Sequence, residues 1–148
     1  MARRFPPVLL VFGLLVLAAG LTTGCAPRET THAVHLADLA EMPADVQAAP
    51  VLVQQAYQFA VANPEILQQV PCYCGCGAMG HTSNYACYVA GVDGDGKVIF
   101  DSHALGCSIC VDITQDTMRL LEQGKDVPMI QAYLEKTYSR YGPSNMPG

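Results

Sequence analysis

Tryptophan is absent, charged residues make up only 14% of the chain, and Lys and Arg together number eight among 148 residues. So sparse a basic complement cannot neutralise a run of phosphates, which argues against nucleic acid as a partner. Familiar hydrolase and nucleotide signatures are missing too: there is no Gly-x-Ser-x-Gly, no His-Glu-x-x-His and no phosphate-cradling Gly-Lys-Ser/Thr. No apolar run reaches the roughly 20 residues that a spanning helix needs. The longest, residues 8–21, has 14. What is present, 51% apolar side chains in a chain of one-domain length, excludes a disordered polymer.

The flanks of that run say what it is. Arg3 and Arg4 precede it, and Thr22, Thr23, Gly24 and Cys25 follow. A basic start, a short apolar centre and a small-residue end make a secretory signal, here residues 1–24. Cys25 directly after Gly24 matches bacterial lipoproteins, in which that cysteine is acylated, although Thr22 stands where Leu is commonest. An ordinary secreted protein cleaved nearby, with Cys25 free or bridged, is the alternative. Parity favours the lipid: the chain has seven cysteines, and acylating Cys25 leaves six. Beyond residue 24, Arg28, Lys97, Arg119, Lys125, Lys136 and Arg140 face all 13 acids, a net charge of −7. The expectation is an acidic domain held by acyl chains on the extracytoplasmic face of the cell membrane.

Residues 25–50, rich in Ala and Pro, are expected to be a flexible tether with at most one helical turn. Residues 51–62 read as a helix with Val51, Leu52, Gln55, Phe59 and Ala62 near one stripe. Asn63-Pro64-Glu65 caps and restarts a helix through Gln69. Residues 85–92 and 97–101 flank Asp93-Gly94-Asp95-Gly96 and read as a hairpin. A helix is expected over 114–123 with Thr114 or Asp112 as cap and Gly124 as stop. Another, over 126–141, has Asp126 as cap, Pro128 in its first turn, and Ile130, Tyr133, Leu134 and Tyr138 on one face. The fold class is α+β: a small, mostly helical domain over residues 51–142 with one hairpin, organised around a Cys-rich loop, then a tail at 143–148.

The chemistry lies in six cysteines. Cys72, Cys74 and Cys76 form Cys-x-Cys-x-Cys, Cys107 and Cys110 form Cys-x-x-Cys, and Cys87 stands between them. His81 shares the Gly-flanked loop with the first three. In extended backbone, alternate side chains point the same way, with Cα atoms roughly 6 to 7 Å apart at about 3.3 Å per residue. Metal–thiolate bonds of about 2.3 Å can close that gap, above all where Gly75 and Gly77 let the chain curl. Soft thiolates select Cu(I), Zn(II) or iron–sulfur clusters. Tight Cys-x-Cys pairs favour low-coordinate Cu(I) or a polymetallic thiolate cluster, so copper(I) stands first, with zinc or another soft metal behind it. The expected ligands are Cys72, Cys74, Cys76, His81, Cys87, Cys107 and Cys110.

Two other readings compete. Three disulfides would staple a small exported domain, but a bridge between Cys72 and Cys74, or Cys74 and Cys76, closes a very small ring. A thiol oxidoreductase would place Cys107 and Cys110 after a strand and before a helix. Only 38 residues follow Cys110, too few to finish a thioredoxin fold. His103, four residues before Cys107, is as much a core histidine as a ligand. Met79 reads as packing, and His32 and His35 as solvated tether residues. Asp93 to Asp101 looks like part of a calcium loop, but position 12 would be Ala104, with no bidentate Glu.

At Pro71-Cys72-Tyr73-Cys74-Gly75-Cys76, His81, Cys87 and Gly106-Cys107-Ser108-Ile109-Cys110 the chain resembles the bacterial PCYCGC-motif lipoproteins, over roughly residues 51–142. The resemblance implies an exported, membrane-anchored protein that handles metal, in a family named for its motif and not for an activity. The expected function is therefore a non-enzymatic carrier, buffer or delivery factor for a soft metal, with the membrane, the ion and a membrane metalloenzyme or metal transporter as partners.

Overall fold

The computed structural model describes residues 34–147. The signal-like run, Cys25 and His32 lie outside the described residues. Among the described residues, no helix is long and apolar enough to cross a membrane.

Local punctuation sets most of the elements. A 3₁₀ turn, Leu39–Glu41, is capped by Asp38 and followed by the short helix α1, Ala44–Gln47. Helix α2, Val51–Ala62, begins after Pro50 and ends at Asn63. The Asn63 amide donates to the carbonyls of Phe59 (2.9 Å) and His35 (2.8 Å), and Pro64 opens helix α3, Pro64–Leu67. The restart thus ends two residues before Gln69. Strands β1, Val89–Val92, and β2, Val98–Phe100, pair antiparallel with Val89 opposite Phe100 and Val92 opposite Val98, and a bulge lies between Val89 and Gly91. The Asp93 carboxylate accepts from the amides of Asp95 and Lys97, and Gly96 takes a φ of 82°. The resemblance to a calcium loop is a hairpin turn. Helix α4, Ser108–Glu122, and helix α5, Val127–Tyr138, complete the α+β domain.

Four expectations need correction. The tether ends earlier than Pro50: Met42 and Val46 are core residues, and Ala37 exchanges hydrogen bonds with Gln58. Val34, Ala37 and Leu39 already pack partly against the core. The stripe on α2 is rotated, because Ala56, Tyr57, Phe59 and Ala60 face inward while Val51, at 63% exposure, projects from the first turn. Residues Tyr85–Cys87 form a 3₁₀ turn and not the start of a strand. Helix α4 begins six residues before Thr114, with Cys107 as its cap. Thr114 is interior: its hydroxyl bonds to the Cys110 carbonyl, to Asn84 and to Tyr88.

Helices α2 and α4 pack together, with Tyr57, Phe59, Ile113, Ile130 and Leu134 among the fully buried side chains. Each such side chain contributes about 1.5 to 3 kcal/mol of burial energy. Tyr57 donates to the Asp101 carbonyl (2.7 Å) and meets Tyr88 edge to face. Tyr88 in turn donates to the Cys110 carbonyl (2.8 Å), as does the Asn84 amide (3.2 Å). These bonds pin the first turn of α4 against the loop that carries the other cysteines. Helix α5 starts where its sequence reading places it but ends at Tyr138, three residues before Tyr141: Asp126 caps the Met129 amide, and Ile130, Leu134 and Tyr138 are buried. Tyr133 lies at the edge of that face, under the Arg119 guanidinium.

Candidate metal centre

Cys72 follows Pro71 on an irregular segment whose three sulfurs turn to one side. Gly75, at φ 86°, curls the backbone into a 3₁₀ turn, Cys76–Met79. A side chain is disfavoured in that conformation, and without the curl the sulfurs would remain at the spacing of an extended strand. Here Cys72, Cys74 and Cys76 bring their Sγ atoms within 4.8 Å of one another. The 3₁₀ turn at Tyr85–Cys87 delivers Cys87, whose Sγ lies 3.6 Å from that of Cys76. Helix α4 delivers the Cys-x-x-Cys pair from its N-terminal end, where the helix dipole favours negative charge. Cys110 Sγ lies 3.4 Å from Cys72 Sγ and 3.5 Å from Cys74 Sγ. His103, on the 3₁₀ turn His103–Leu105, places Nε2 3.5 Å from Cys74 Sγ.

Sets of donors whose ligand atoms all lie within 4.8 Å of one another include Cys74, His103, Cys107 and Cys110; Cys76, His81, Cys87 and His103; Cys72, Cys74 and Cys76; and Cys72, Cys87 and Cys110. Bonds of about 2.0 to 2.3 Å from one ion to His and Cys span such distances. These sets can hold a soft metal ion. All seven residues singled out in the sequence enter a set, and His103 joins them. Met79 does not fill the core; it is 63% exposed. His35 is exposed and gives only its carbonyl to Asn63.

Two residues that the sequence reading passed over shape the site. Asp101 sits between the histidines, accepting from the His103 backbone amide (2.7 Å) and lying 3.5 Å from His81 Nε2. His81 is 8% exposed, and its other ring nitrogen, Nδ1, has no partner among the described residues. A carboxylate on one imidazole nitrogen with the other left free is the arrangement that orients a metal-binding histidine. Replacing Asp101 with Asn is expected to lower soft-metal affinity by about tenfold or more without loss of helix, as read by competition with a chelator. An unchanged affinity would remove Asp101 from this role.

Asn145 closes the other side. Its side-chain oxygen accepts from the Cys72 amide (2.7 Å), and its NH₂ group reaches the carbonyls of His81 (3.0 Å) and Ser83 (3.1 Å) and the sulfur of Cys76 (3.5 Å). The expected tail is therefore a clasp. Gly142 lets it lie close, since a Cβ there would stand 2.9 Å from the Tyr73 carbonyl oxygen.

Electrostatically the sulfurs act as one group. Hydrogen bonds from Cys110 and then from Cys87 hold the Cys72 thiol far below the ordinary thiol range. The bond to Cys72, the contact with Cys87 and burial push Cys110 far up. Burial and the negative charge on Cys72 raise Cys74 and Cys76. One negative charge thus concentrates in a buried pocket of polarisable sulfur, and a bound cation would allow the remaining thiols to ionise. Access is uneven: Cys72, Cys76, Cys87 and Cys110 are buried, while Cys74 and Cys107 are half-buried. A cleft of about 370 Å³, lined by Leu52, Val53, Leu105 and Val111, opens beside Cys107.

A small α+β domain that gathers six unbridged thiols, four of them in its core and two at its edge, and whose loops add two imidazoles defines a class of cysteine-rich domain able to hold a soft metal. Within that class, the family model described as a protein of unknown function with PCYCGC motif matches residues 8–147. The chain belongs to this family. No curated protein and no solved structure matches it.

Proposed function

We propose that the protein is a lipid-anchored, extracytoplasmic carrier for a soft metal, copper(I) above others, and that it buffers or delivers the ion to a membrane metalloenzyme or metal transporter. The observation that carries this reading is the convergence of six thiols and two imidazoles from four chain segments into shared donor sets. A disulfide scaffold pairs its sulfurs two by two; here Cys72, Cys74 and Cys110 are mutual neighbours at 3.4 to 3.5 Å. Sets made of three sulfurs suit copper(I), which accepts low coordination numbers, and the His-containing sets also admit zinc. Half-exposed Cys74 and Cys107 supply the point of exchange: an incoming thiolate from a partner replaces one sulfur at a time, and the displaced sulfur keeps its charge or takes a proton. The anchor rests on Cys25 and the apolar run before it.

The test is metal analysis of the full chain by native and then denaturing mass spectrometry. A metal mass under native conditions, with the six thiols alkylatable once the metal is removed, is the expected result. Replacing Cys74 with Ser should lower the metal content while the circular dichroism of the helices stays the same. A metal-free protein whose thiols are all paired, or an unchanged metal content in Cys74→Ser, would overturn the proposal.

A further inference from the structure

Thiols hold a soft metal only while they are reduced, and on the extracytoplasmic face proposed above disulfides form and persist. Cys72, Cys74 and Cys110 lie 3.4 to 3.5 Å from one another, against about 2.0 Å in a disulfide, so an oxidant of the disulfide class can join them with small side-chain motions. A bridge between Cys72 and Cys110 would be out of a reductant's reach, because both residues are fully buried. Cys110 Sγ, however, also lies within 4.8 Å of Cys107 Sγ. Cys110 thus adjoins the buried sulfurs on one side and a half-buried sulfur on the other. Cys74 is half-buried as well, but Cys107 is the cysteine that lines the cleft of about 370 Å³. Leu52, Val53, Leu105 and Val111 also line that cleft, and Asp112 is its one charged residue. Leu52 is 56% exposed although apolar, and Val51 beside it projects into solvent. So weakly charged a recess, with a sulfur on its wall, matches an apolar surface that itself carries thiols.

We propose that this cleft docks a protein dithiol, a reductant whose thiols stand in an apolar surface, and that Cys107 is the port through which its electrons reach the buried sulfurs by way of Cys110. The proposal rests on the soft-metal reading for its purpose, since reduction restores donors, but the exchange itself needs no metal. Each step balances. A small disulfide oxidises Cys72 and Cys110 and leaves as two thiols. The Cys107 thiolate attacks Cys110 Sγ, the bond between Cys107 and Cys110 forms as that between Cys72 and Cys110 breaks, and Cys72 leaves as a thiolate. A thiolate of the partner then attacks Cys107 Sγ, which makes a mixed disulfide and frees Cys110 to take a proton. The partner's second thiolate attacks its own sulfur in that mixed bond, and Cys107 leaves with the electron pair. Two electrons and two protons have passed from the partner to the site, and the partner carries the disulfide.

The full chain in detergent, free of metal, is treated with oxidised glutathione until one bridge per chain has formed. A thioredoxin serves as the protein dithiol and dithiothreitol as the small one. Digestion after acid quenching is expected to map the bridge to Cys107 and Cys110. A thioredoxin whose second thiol is replaced by serine stops at the mixed disulfide, and that bond is expected on Cys107. Leu52→Glu sets a charge in the apolar wall at an exposed position, and it should slow reduction by thioredoxin by about tenfold while the rate with dithiothreitol stays the same. Cys107→Ser should keep the bridge among the buried sulfurs and slow the thioredoxin reaction by at least about tenfold, because access limits such exchange. A mixed disulfide on Cys74, a bridge that stays off Cys107, or a Leu52→Glu protein reduced at the wild-type rate would overturn the proposal. So would dithiothreitol acting as fast as thioredoxin at equal concentration, since the cleft would then recognise no protein surface. Copper(I) added to the reduced samples separates the two readings. Copper bound without exchange at Cys107 removes the port and keeps the carrier, whereas exchange at Cys107 without bound copper keeps the port and removes the carrier. Mapping and trapping use the wild-type chain, so a Cys107→Ser protein that fails to fold leaves the test intact.

Discussion

Raising the pH from about 8.5 to about 10 destabilises the reduced, metal-free protein by about 3 kcal/mol, and metal loading removes that loss. The sign follows from the buried thiols. The hydrogen bond with Cys72 raises Cys110 far above the ordinary thiol range. At Cys87 the lowering bond from Cys110 is outweighed by the bond with Cys72 and by burial, so Cys87 is raised as well. Burial and the Cys72 charge move Cys76 in the same direction. A group whose folded value is raised contributes stability that is complete below its unfolded value and lost as pH climbs toward the folded one. Above about pH 8.5 the unfolded chain sheds the Cys87 and Cys110 protons while the folded chain keeps them, at a cost of about 1.4 kcal/mol per pH unit and per thiol. Cys72 works in the opposite sense, since hydrogen bonds from Cys110 hold its folded value low. Its contribution is already complete once the pH passes the ordinary thiol value, so it does not offset the loss above it. Cys74 moves with Cys76 but is half-buried, and water weakens its part. Burial also raises Tyr57 and Tyr88, which is why the scan should end near pH 10, the ordinary tyrosine value. The measurement is the melting temperature of apo and loaded protein across that range, with an expected fall on the order of 10 °C for the apo form alone. A flat apo curve would show that these thiols ionise as freely folded as unfolded.

Asn145→Ala is expected to cost about 2 kcal/mol and to open the sulfurs to alkylation. The substitution removes the acceptor of the Cys72 amide and the donors to His81, Ser83 and Cys76. A buried polar group left without a partner costs about 1 to 3 kcal/mol. Water reaches some of these groups because the contacts are part-buried, which keeps the total of several losses near the cost of one fully buried group. The backbone bond from the Asn145 amide to the Cys72 carbonyl (3.0 Å) survives the change and holds the segment near its place. Thermal unfolding gives the first readout, and the rate at which Cys76 reacts with iodoacetamide gives the second. If neither moves, the C-terminal segment is not a clasp.

What could be read from the sequence was what neighbouring residues decide among themselves. Pro50 and Asn63-Pro64 bound α2, Asp126 and Pro128 open α5, and the run from Asp93 to Gly96 makes a hairpin turn; each works within a few residues. The donor residues were legible for the same reason, since the Cys-x-Cys-x-Cys spacing and the curl at Gly75 are local. Helix α4 was misjudged because Asp112 and Thr114 are good caps in isolation, whereas Tyr88 and Asn84, more than twenty residues earlier, hold the Cys110 carbonyl and fix the first turn. Asn145 was invisible because its partner Cys72 lies 73 residues away, with nothing in the intervening spacing to betray the pairing. Met42 and Val46 were read as tether because two apolar residues four apart form no periodic signal.

Cys72, Cys76, Cys87 and Cys110 are core residues as much as Tyr57 or Ile113 are. A chain that loses one of them has a gap in its interior, and a chain whose interior is disturbed elsewhere loses the placement of its sulfurs. Defects in chemistry and defects in folding therefore arrive together, and the proteases that clear unfolded chains act on both. A long-lived folded molecule with a ruined site is a form this architecture disfavours, so surveillance of folding doubles as surveillance of function.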